Sequence, residues 1–200
     1  MVDRYPIRGK ESRSMSTIRE HFTSGIGKAK MGVWFVPQTF HWGAYQKPVA
    51  NFRFPTENEM RSMMLLAMNM GAKGYCFYSY STIFDRQEKI FPGSAKKFWP
   101  QVVRVARMLK SLEEFFFTDD VSKVRCINKG KNFVEAKLYR SGKKVCVVIT
   151  CDGPGRAEAV LRLPELKLKS LYGNTVRQKD GTYKFTGLDI GSDVLTGETK

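Results

Sequence analysis

The sequence predicts an α/β half followed by an all-β half. In residues 1–112, apolar segments of strand length alternate with segments whose apolar residues recur at helical spacing. In residues 119–200, seven short segments of alternating polarity are separated by turn residues, which is typical of an antiparallel β-sandwich. An apolar fraction of 42% supports a real core and excludes a disordered chain. We place the domains at 1–115 and 119–200.

The first two strands and the first helix follow from apolar spacing. Residues 2–7 form a short strand candidate, and residues 32–37 are apolar throughout, as expected for a strand buried on both faces of a parallel sheet. Between them, residues 11–24 have helical periodicity, with one apolar face formed by Met15, Ile18 and Phe22. We expect Trp34, in the middle of the second strand, to be a core residue.

A capping signal marks the next helix. Thr56 and Glu59 have the spacing of a capping box, in which each side chain bonds a backbone N–H at the helix start. The apolar stripe that follows predicts a core-facing helix, and its members are Met60, Met63, Met64, Ala67 and Met68. Residues 74–79 then form a third buried strand candidate, and residues 95–112 a further helix.

The second half has the period of β-structure. The strand candidates are residues 122–128, 133–139, 144–150, 157–163, 167–172, 174–178 and 182–186. Asp180-Gly181, between the last two, is a strong hairpin signal. The spacing of the turns predicts a sandwich.

The chain is strongly basic, with a net charge of +15. The basic residues are spread over both halves, and no run of five or more occurs. A nucleic-acid module usually concentrates its charge on one stripe, so we expect no specific nucleic-acid partner. No apolar segment reaches the length of a transmembrane helix, and the first residues carry no signal-peptide core, so we expect no membrane partner and assign no compartment.

Cysteine and histidine usage argues against a metal site. The four cysteines form no C-x-x-C pair, and only two histidines exist, His21 and His41. Reduced thiols are favoured, while a Cys126–Cys146 or Cys126–Cys151 bridge stays open. No nucleotide, phosphate or zinc-protease motif occurs, so we expect no cofactor.

The strand spacing in the first half is that of a β/α repeat. Val33 follows Val2 by 31 residues and Tyr75 follows Val33 by 42, against a mean of about 31 residues per unit in an eight-unit barrel. Three units cannot close such a barrel. The first half is therefore expected to be the end of a larger β/α domain, or a small domain that needs a partner.

Several segments resemble the last three βα units of TIM-barrel glycoside hydrolases of the β-galactosidase-like type. They are Asp3-Arg-Tyr-Pro6, Val33–Phe40 (VWFVPQTF), Arg53–Arg61 (RFPTENEMR) and Gly71-Ala-Lys-Gly74. The resemblance implies an incomplete (β/α)8 barrel holding its sixth to eighth strands, followed by the C-terminal β-sandwich usual in that family. It also implies a missing N-terminal part of the barrel.

The resemblance also shows what the chain lacks. Retaining glycosidases use two carboxylates, one as nucleophile and one as acid/base. In the family the nucleophile follows the seventh strand, where this chain has Gln38, and the acid/base residue follows the fourth strand, which is not in this chain. We therefore expect the isolated chain to be inactive as a glycoside hydrolase.

The candidate site residues follow the predicted strands. Asp3 is the candidate catalytic carboxylate, with a turn or cap aspartate as the alternative. Gln38 and His41 are candidates for hydrogen bonds to sugar hydroxyls, with a loop amide and a surface histidine as the alternative. Aromatic candidates for stacking on a sugar ring are Tyr5, Trp42, Tyr78 and Tyr80.

Three functions remain open from the sequence. The first is a fragment of a glycoside-hydrolase-like protein with a carbohydrate ligand. The second is a non-catalytic carbohydrate-binding or assembly module. The third is polyanion binding through the +15 charge. Uncovered sheet edges in an incomplete barrel predict self-association or pairing with the missing N-terminal barrel half.

Overall fold

A computed structural model describes residues 1–26, 32–163 and 166–199 of the chain. The backbone divides into two units, Met1–Leu112 and Glu113–Lys200. Each unit has its own sheet.

The sheet of the first unit has three parallel strands. They are β1 (Val2–Asp3), β2 (Val33–Val36) and β3 (Ala72–Tyr75), with β2 in the centre. The α-helices of this unit are α1 (Ser16–Ile26), α2 (Glu57–Asn69), α3 (Gln87–Ile90) and α4 (Ser94–Ser111). Shorter helical segments are the 3₁₀ turns Trp42–Ala44 and Val49–Asn51 and a π-helical segment, Thr82–Arg86.

Helix α2 contributes the predicted apolar stripe to the core of the first unit. Its five stripe residues are at most 2% exposed, which confirms the prediction: Met60, Met63, Met64, Ala67 and Met68. The predicted face of α1 is buried too, and the ring of Phe22 lies 5.8 Å from that of Phe35 on β2. Burial of these side chains supplies the main stabilisation of the unit.

The start of α2 is held by the predicted capping box. The Thr56 hydroxyl accepts from the Glu59 backbone N–H at 3.2 Å, and the Glu59 carboxylate accepts from the Thr56 N–H at 2.8 Å. The same carboxylate binds the Arg53 guanidinium through two bonds of 2.6 and 2.7 Å. Glu59 therefore joins the helix start to the preceding loop.

The sheet of the second unit has seven antiparallel strands. Its elements are α5 (Glu113–Phe116), β4 (Val121–Lys123), β5 (Cys126–Asn128), β6 (Val134–Ser141), β7 (Lys144–Leu161), β8 (Lys169–Ser170), β9 (Thr175–Arg177) and β10 (Tyr183–Glu198). The main order is β4-β6-β7-β10-β8, while β5 pairs with β7 and β9 with β10. The hairpin predicted at Asp180-Gly181 is confirmed between β9 and β10.

Two long strands dominate the second unit. β7 has 18 residues and β10 has 16, and they pair along their length with one register shift between Leu188 and Ile190. Gly153 and Gly155 in β7 have φ angles of 78° and 91°, which bend the strand without ending it. The turn residues at 152–155 therefore mark a bend rather than a loop.

Tyr183 and Asp193 are buried polar side chains of the second unit that have hydrogen-bond partners. The Tyr183 hydroxyl donates to the Leu166 carbonyl at 2.8 Å and accepts from the Leu168 N–H at 2.7 Å. The Asp193 carboxylate, fully buried, accepts from the Ser170 hydroxyl at 2.7 Å and from the Val194 N–H at 2.8 Å. Buried polar groups with partners fix one packing arrangement.

The predicted fold class, three terminal units of a TIM barrel followed by a β-sandwich, is wrong. The described residues form five α-helices, one three-stranded parallel sheet and one seven-stranded antiparallel sheet. The strands of the first sheet have only two, four and four residues, so they form a small open sheet and not part of a barrel wall. In the second half, the strand candidates 144–150 and 157–163 are one bent strand, β7, in one sheet.

Two predictions about single residues are also wrong. Trp34, expected in the core, is 52% exposed, and Cys76, expected inside a buried strand, is exposed. β3 ends at Tyr75, earlier than the predicted strand, so the residues after it leave the sheet.

All four cysteines are free, which confirms reduced thiols and removes both disulfide alternatives. Among the described residues, no helix is both long and apolar enough to cross a membrane.

Replacing Glu59 with alanine should destabilise the first unit. The change removes the return bond of the capping box and leaves Arg53, whose side chain is 27% exposed, without its carboxylate. We expect a loss of about 1–3 kcal/mol in urea-induced unfolding. Glu57→Ala is the matched control, because its pair with Arg104 is more exposed and should contribute less to stability. Equal losses in the two variants would contradict this assignment.

Candidate functional site

The chain segments that follow β1, β2 and β3 are tied together by Gln38 and Thr39. The Gln38 amide accepts from the Ile7 N–H at 2.9 Å and donates to the carbonyls of Ile7 at 2.6 Å and Phe40 at 3.0 Å. Gln38 also forms a parallel bridge with Tyr78, and the Thr39 hydroxyl donates to the Tyr78 carbonyl at 2.6 Å. These bonds bring the carboxyl ends of three parallel strands to one place, which is the usual location of a ligand site.

An aromatic cluster surrounds Phe40 at this end of the sheet. Phe40 is buried, and its ring lies 4.9 Å from Tyr5, 5.3 Å from Trp42 and 6.0 Å from Tyr78. The Tyr5 and Tyr78 rings stack at 6.0 Å, with 25° between their planes. Tyr78 remains 43% exposed, so the outer part of the cluster faces solvent.

Beside this cluster lies a cavity of about 570 Å³, here called the first-unit cavity. Its lining comes from the segment after β1, from one side of α1 and from the loop after β2: Asp3, Arg4, Tyr5, Pro6, Arg8, Thr17, Glu20, His21 and Trp42. The volume lies within the usual range for small-ligand sites.

The polar groups of the first-unit cavity include both acidic and basic side chains. Burial raises the pKa of Tyr5, and the neighbouring Asp3 carboxylate raises it further, so the phenol is a neutral donor at physiological pH. The Arg4 Nε donates to Nδ1 of His21 at 3.1 Å. Arg8 covers the Trp42 ring, with its guanidinium carbon 4.2 Å from the ring centre.

The structure places Asp3, Tyr5 and Trp42 in the cavity wall and Tyr78 against Tyr5. These four predicted site residues are therefore together. Asp3 is exposed at the end of β1. The Trp42 indole Nε1 is buried and has no hydrogen-bond partner among the described residues.

Gln38 and His41 do not line the cavity. Gln38 is fully buried, and its amide is used by backbone groups. His41 is 4% exposed, its Nδ1 accepts from the Gly43 N–H at 2.9 Å, and its ring packs 4.7 Å from Phe54. Burial lowers the pKa of His41, which keeps the ring neutral as that acceptor. Both residues support the loop that carries Trp42.

Tyr80 belongs to a different aromatic group. It is 64% exposed, and its ring lies 4.5 Å from Phe84 and 5.5 Å from Trp99. Neither Tyr80 nor these partners line the cavity.

Sequence reasoning missed the polar side of helix α1. Thr17, Glu20 and His21 line the cavity, and their i, i+3, i+4 spacing places them on one helix face. In the sequence, these residues lie on the polar face of the helix, opposite its apolar residues. A polar face that lines a cavity and one that is simply exposed to solvent have the same sequence pattern. Only the packing of α1 beside the end of β1 distinguishes a cavity wall from a solvent-exposed face.

The arrangement can bind a polar ligand with an apolar face. It offers two carboxylates, two guanidinium groups, an imidazole and two aromatic rings around one cavity. No group of three or more metal-ligating side chains occurs in the part of the chain that the structure describes.

No protein-family model and no curated protein matches the chain.

Replacing Gln38 with leucine should lower stability through lost backbone partners. The change leaves the Ile7 N–H and the carbonyls of Ile7 and Phe40 without the amide, at a cost of about 1–3 kcal/mol per unsatisfied buried group. The measurement is urea unfolding followed by tryptophan fluorescence. Gln46→Leu, at an exposed position, is the control and should change stability by less than about 0.5 kcal/mol. A stable Gln38→Leu protein would contradict the supporting role given to this amide.

Proposed function

We propose that the first-unit cavity binds a carbohydrate. The observation that carries the proposal is that aromatic rings and hydrogen-bonding side chains line one cavity at the carboxyl ends of the parallel strands. The segments that resemble β-galactosidase-like proteins also include Asp3 and Tyr5. The described residues do not form the barrel that this resemblance implies, so the proposal depends on the cavity itself.

The chemistry of a sugar matches this lining in two ways. A pyranose ring presents apolar C–H faces that pack on aromatic rings, here supplied by Tyr5, while the Trp42 ring carries Arg8 on one face. Its hydroxyls both donate and accept, so Asp3 and Glu20 can accept from them while Arg4 and Arg8 donate to them. A purely apolar ligand would offer no hydrogen-bonding group to these four charged side chains.

Substitutions in the cavity should weaken binding of neutral oligosaccharides. Tyr5→Ala removes a stacking ring, and Asp3→Asn removes a charged acceptor, so we expect a loss of affinity of about tenfold for each. Binding is measured by isothermal titration calorimetry on a panel of neutral oligosaccharides with the full chain.

The matched control is Tyr80→Ala, which removes an exposed ring from the separate group with Phe84 and Trp99. It should leave the affinity unchanged. Absence of binding to every oligosaccharide in the panel, or equal losses in Tyr5→Ala and Tyr80→Ala, would refute the proposal.

The second candidate function is hydrolysis of a glycosidic bond. One observation favours it: two carboxylates, Asp3 and Glu20, line the same cavity. Glycosidases need one carboxylic acid to protonate the leaving oxygen and a second carboxylate to attack the sugar or activate water. Binding is preferred, because it requires only the aromatic and hydrogen-bonding groups that line the cavity.

An assay with aryl glycosides separates the two candidates. We expect no turnover by the full chain above the rate of the Asp3→Asn, Glu20→Gln double variant. Turnover that disappears in either single variant would replace binding by hydrolysis, with that carboxylate as a catalytic residue.

A further inference from the structure

A second pocket lies in the second unit, remote in sequence from every residue of the first-unit cavity. It has a volume of about 500 Å³ and is formed by the turn after β5 and by the bent part of β7. Three of its lining side chains are cationic, namely Lys129, Lys131 and Arg156, and one is acidic, Glu158. We call it the second-unit pocket.

Close backbone packing holds the two walls of this pocket together. A Cβ on Gly130 would lie 2.6 Å from the Arg156 carbonyl oxygen, so only glycine permits this approach. The Lys129 N–H donates to the Glu158 carbonyl at 2.8 Å. The turn that carries the two lysines therefore has a defined position against β7.

The buried side chain of Asn132 also holds this turn in place. It is 2% exposed, donates to the carbonyls of Gly155 at 3.0 Å and Asp189 at 2.7 Å, and accepts from the Gly153 N–H at 2.8 Å. The Asp189 carboxylate in turn accepts from the Gly155 N–H at 2.8 Å. The Asn132 amide and the Asp189 carboxylate therefore hold the backbone that forms the pocket. The three cations come from the two chain segments that this backbone joins.

The single carboxylate of the pocket is already neutralised. Glu158 accepts from Lys184 at 3.1 Å and lies 3.4 Å from the Arg156 guanidinium. The bond from Lys184 lowers the pKa of Glu158, and the nearby charges of Arg156 and Lys129 lower it further. No carboxylate among the described residues forms an ion pair with Lys129 or Lys131. The pocket therefore has an excess of positive charge.

We propose that the second-unit pocket binds the sulfate or carboxylate groups of an acidic polysaccharide. Lysine and arginine donors around one concave site favour oxyanions with several acceptor oxygens. The choice of a polysaccharide over another polyanion rests on the carbohydrate function proposed for the first unit, whereas the anion site rests on the pocket alone.

The distribution of charge favours this ligand over a nucleic acid. Recognition of a nucleic-acid backbone uses a basic stripe that follows many phosphates, and single strands also need successive stacking rings. Here three cations lie around one pocket, and Phe133, 62% exposed, is the exposed ring nearest to it in sequence. Such a pocket suits one or two oxyanion groups.

The test compares two triple variants of the full chain. Lys129→Ala, Lys131→Ala and Arg156→Ala remove the pocket cations, while Lys143→Ala, Arg177→Ala and Lys179→Ala remove three exposed cations of the same unit outside the pocket. The probes are a sulfated glycosaminoglycan oligosaccharide, its desulfated and carboxyl-reduced counterpart, and a single-stranded DNA of charge equal to that of the sulfated oligosaccharide. Calorimetry at two salt concentrations gives the affinities.

We expect the pocket variant to lose at least tenfold in affinity for the sulfated oligosaccharide, and the control variant to stay within about twofold of the wild type. The slope of log affinity against log salt should fall by about 2 in the pocket variant. If the pocket variant does not fold, as judged by circular dichroism, Arg156→Gln alone should still reduce affinity while Arg177→Gln does not.

Three results would overturn the proposal. Equal losses in the two triple variants would show diffuse charge rather than a site. Equal affinity for the sulfated probe and for its desulfated, carboxyl-reduced counterpart would exclude the oxyanion. DNA binding that is tighter than sulfated-oligosaccharide binding and that is lost in the pocket variant would replace the ligand class. Failure of the carbohydrate proposal is seen separately, as absent binding of neutral oligosaccharides, and leaves the variant comparison intact.

Discussion

The buried amide of Gln38 is the interaction on which the candidate site depends. It is saturated by the backbone of the segment after β1 and by its own loop, while Thr39 beside it binds the segment after β3. Short parallel strands supply few ladder bonds, so their ends need other partners. A side-chain amide can both donate and accept, which is why one residue can join two chain segments. Tyr5, Trp42 and Tyr78 converge because these segments are joined.

The sequence pattern around Gln38 fits two roles, contact with a ligand and support of the backbone around the site. A polar residue that follows a buried strand is a reasonable ligand candidate, and Gln38 fits that description. In the structure it supports the site without lining it, and His41 does the same by accepting from Gly43. Asp3, Tyr5 and Trp42, which the sequence also predicts as site residues, line the first-unit cavity, and their contact with a ligand stays a prediction.

The two units use different devices to position charged groups. In the first unit, helix α1 lies beside the end of β1, so that His21 accepts a hydrogen bond from Arg4 in the cavity wall. In the second unit, Gly130 and Asn132 seat a turn on the bend of β7 and bring Lys129 close to Arg156. Both devices rely on contacts between residues distant in sequence, so the basic composition alone could not locate either group of charges.

Local chemistry alone determined several features. The capping box at Thr56 and Glu59, the methionine stripe of α2 and the hairpin at Asp180-Gly181 depend on residues a few positions apart, so their physics is complete within a short segment. The fold class was decided by tertiary structure. Whether Gly153 and Gly155 end a strand or bend it depends on β10 lying alongside, and whether Trp34 is core or surface depends on what covers the sheet. Pairing and burial involve segments tens of residues apart, and periodicity within one segment carries no information about its neighbours.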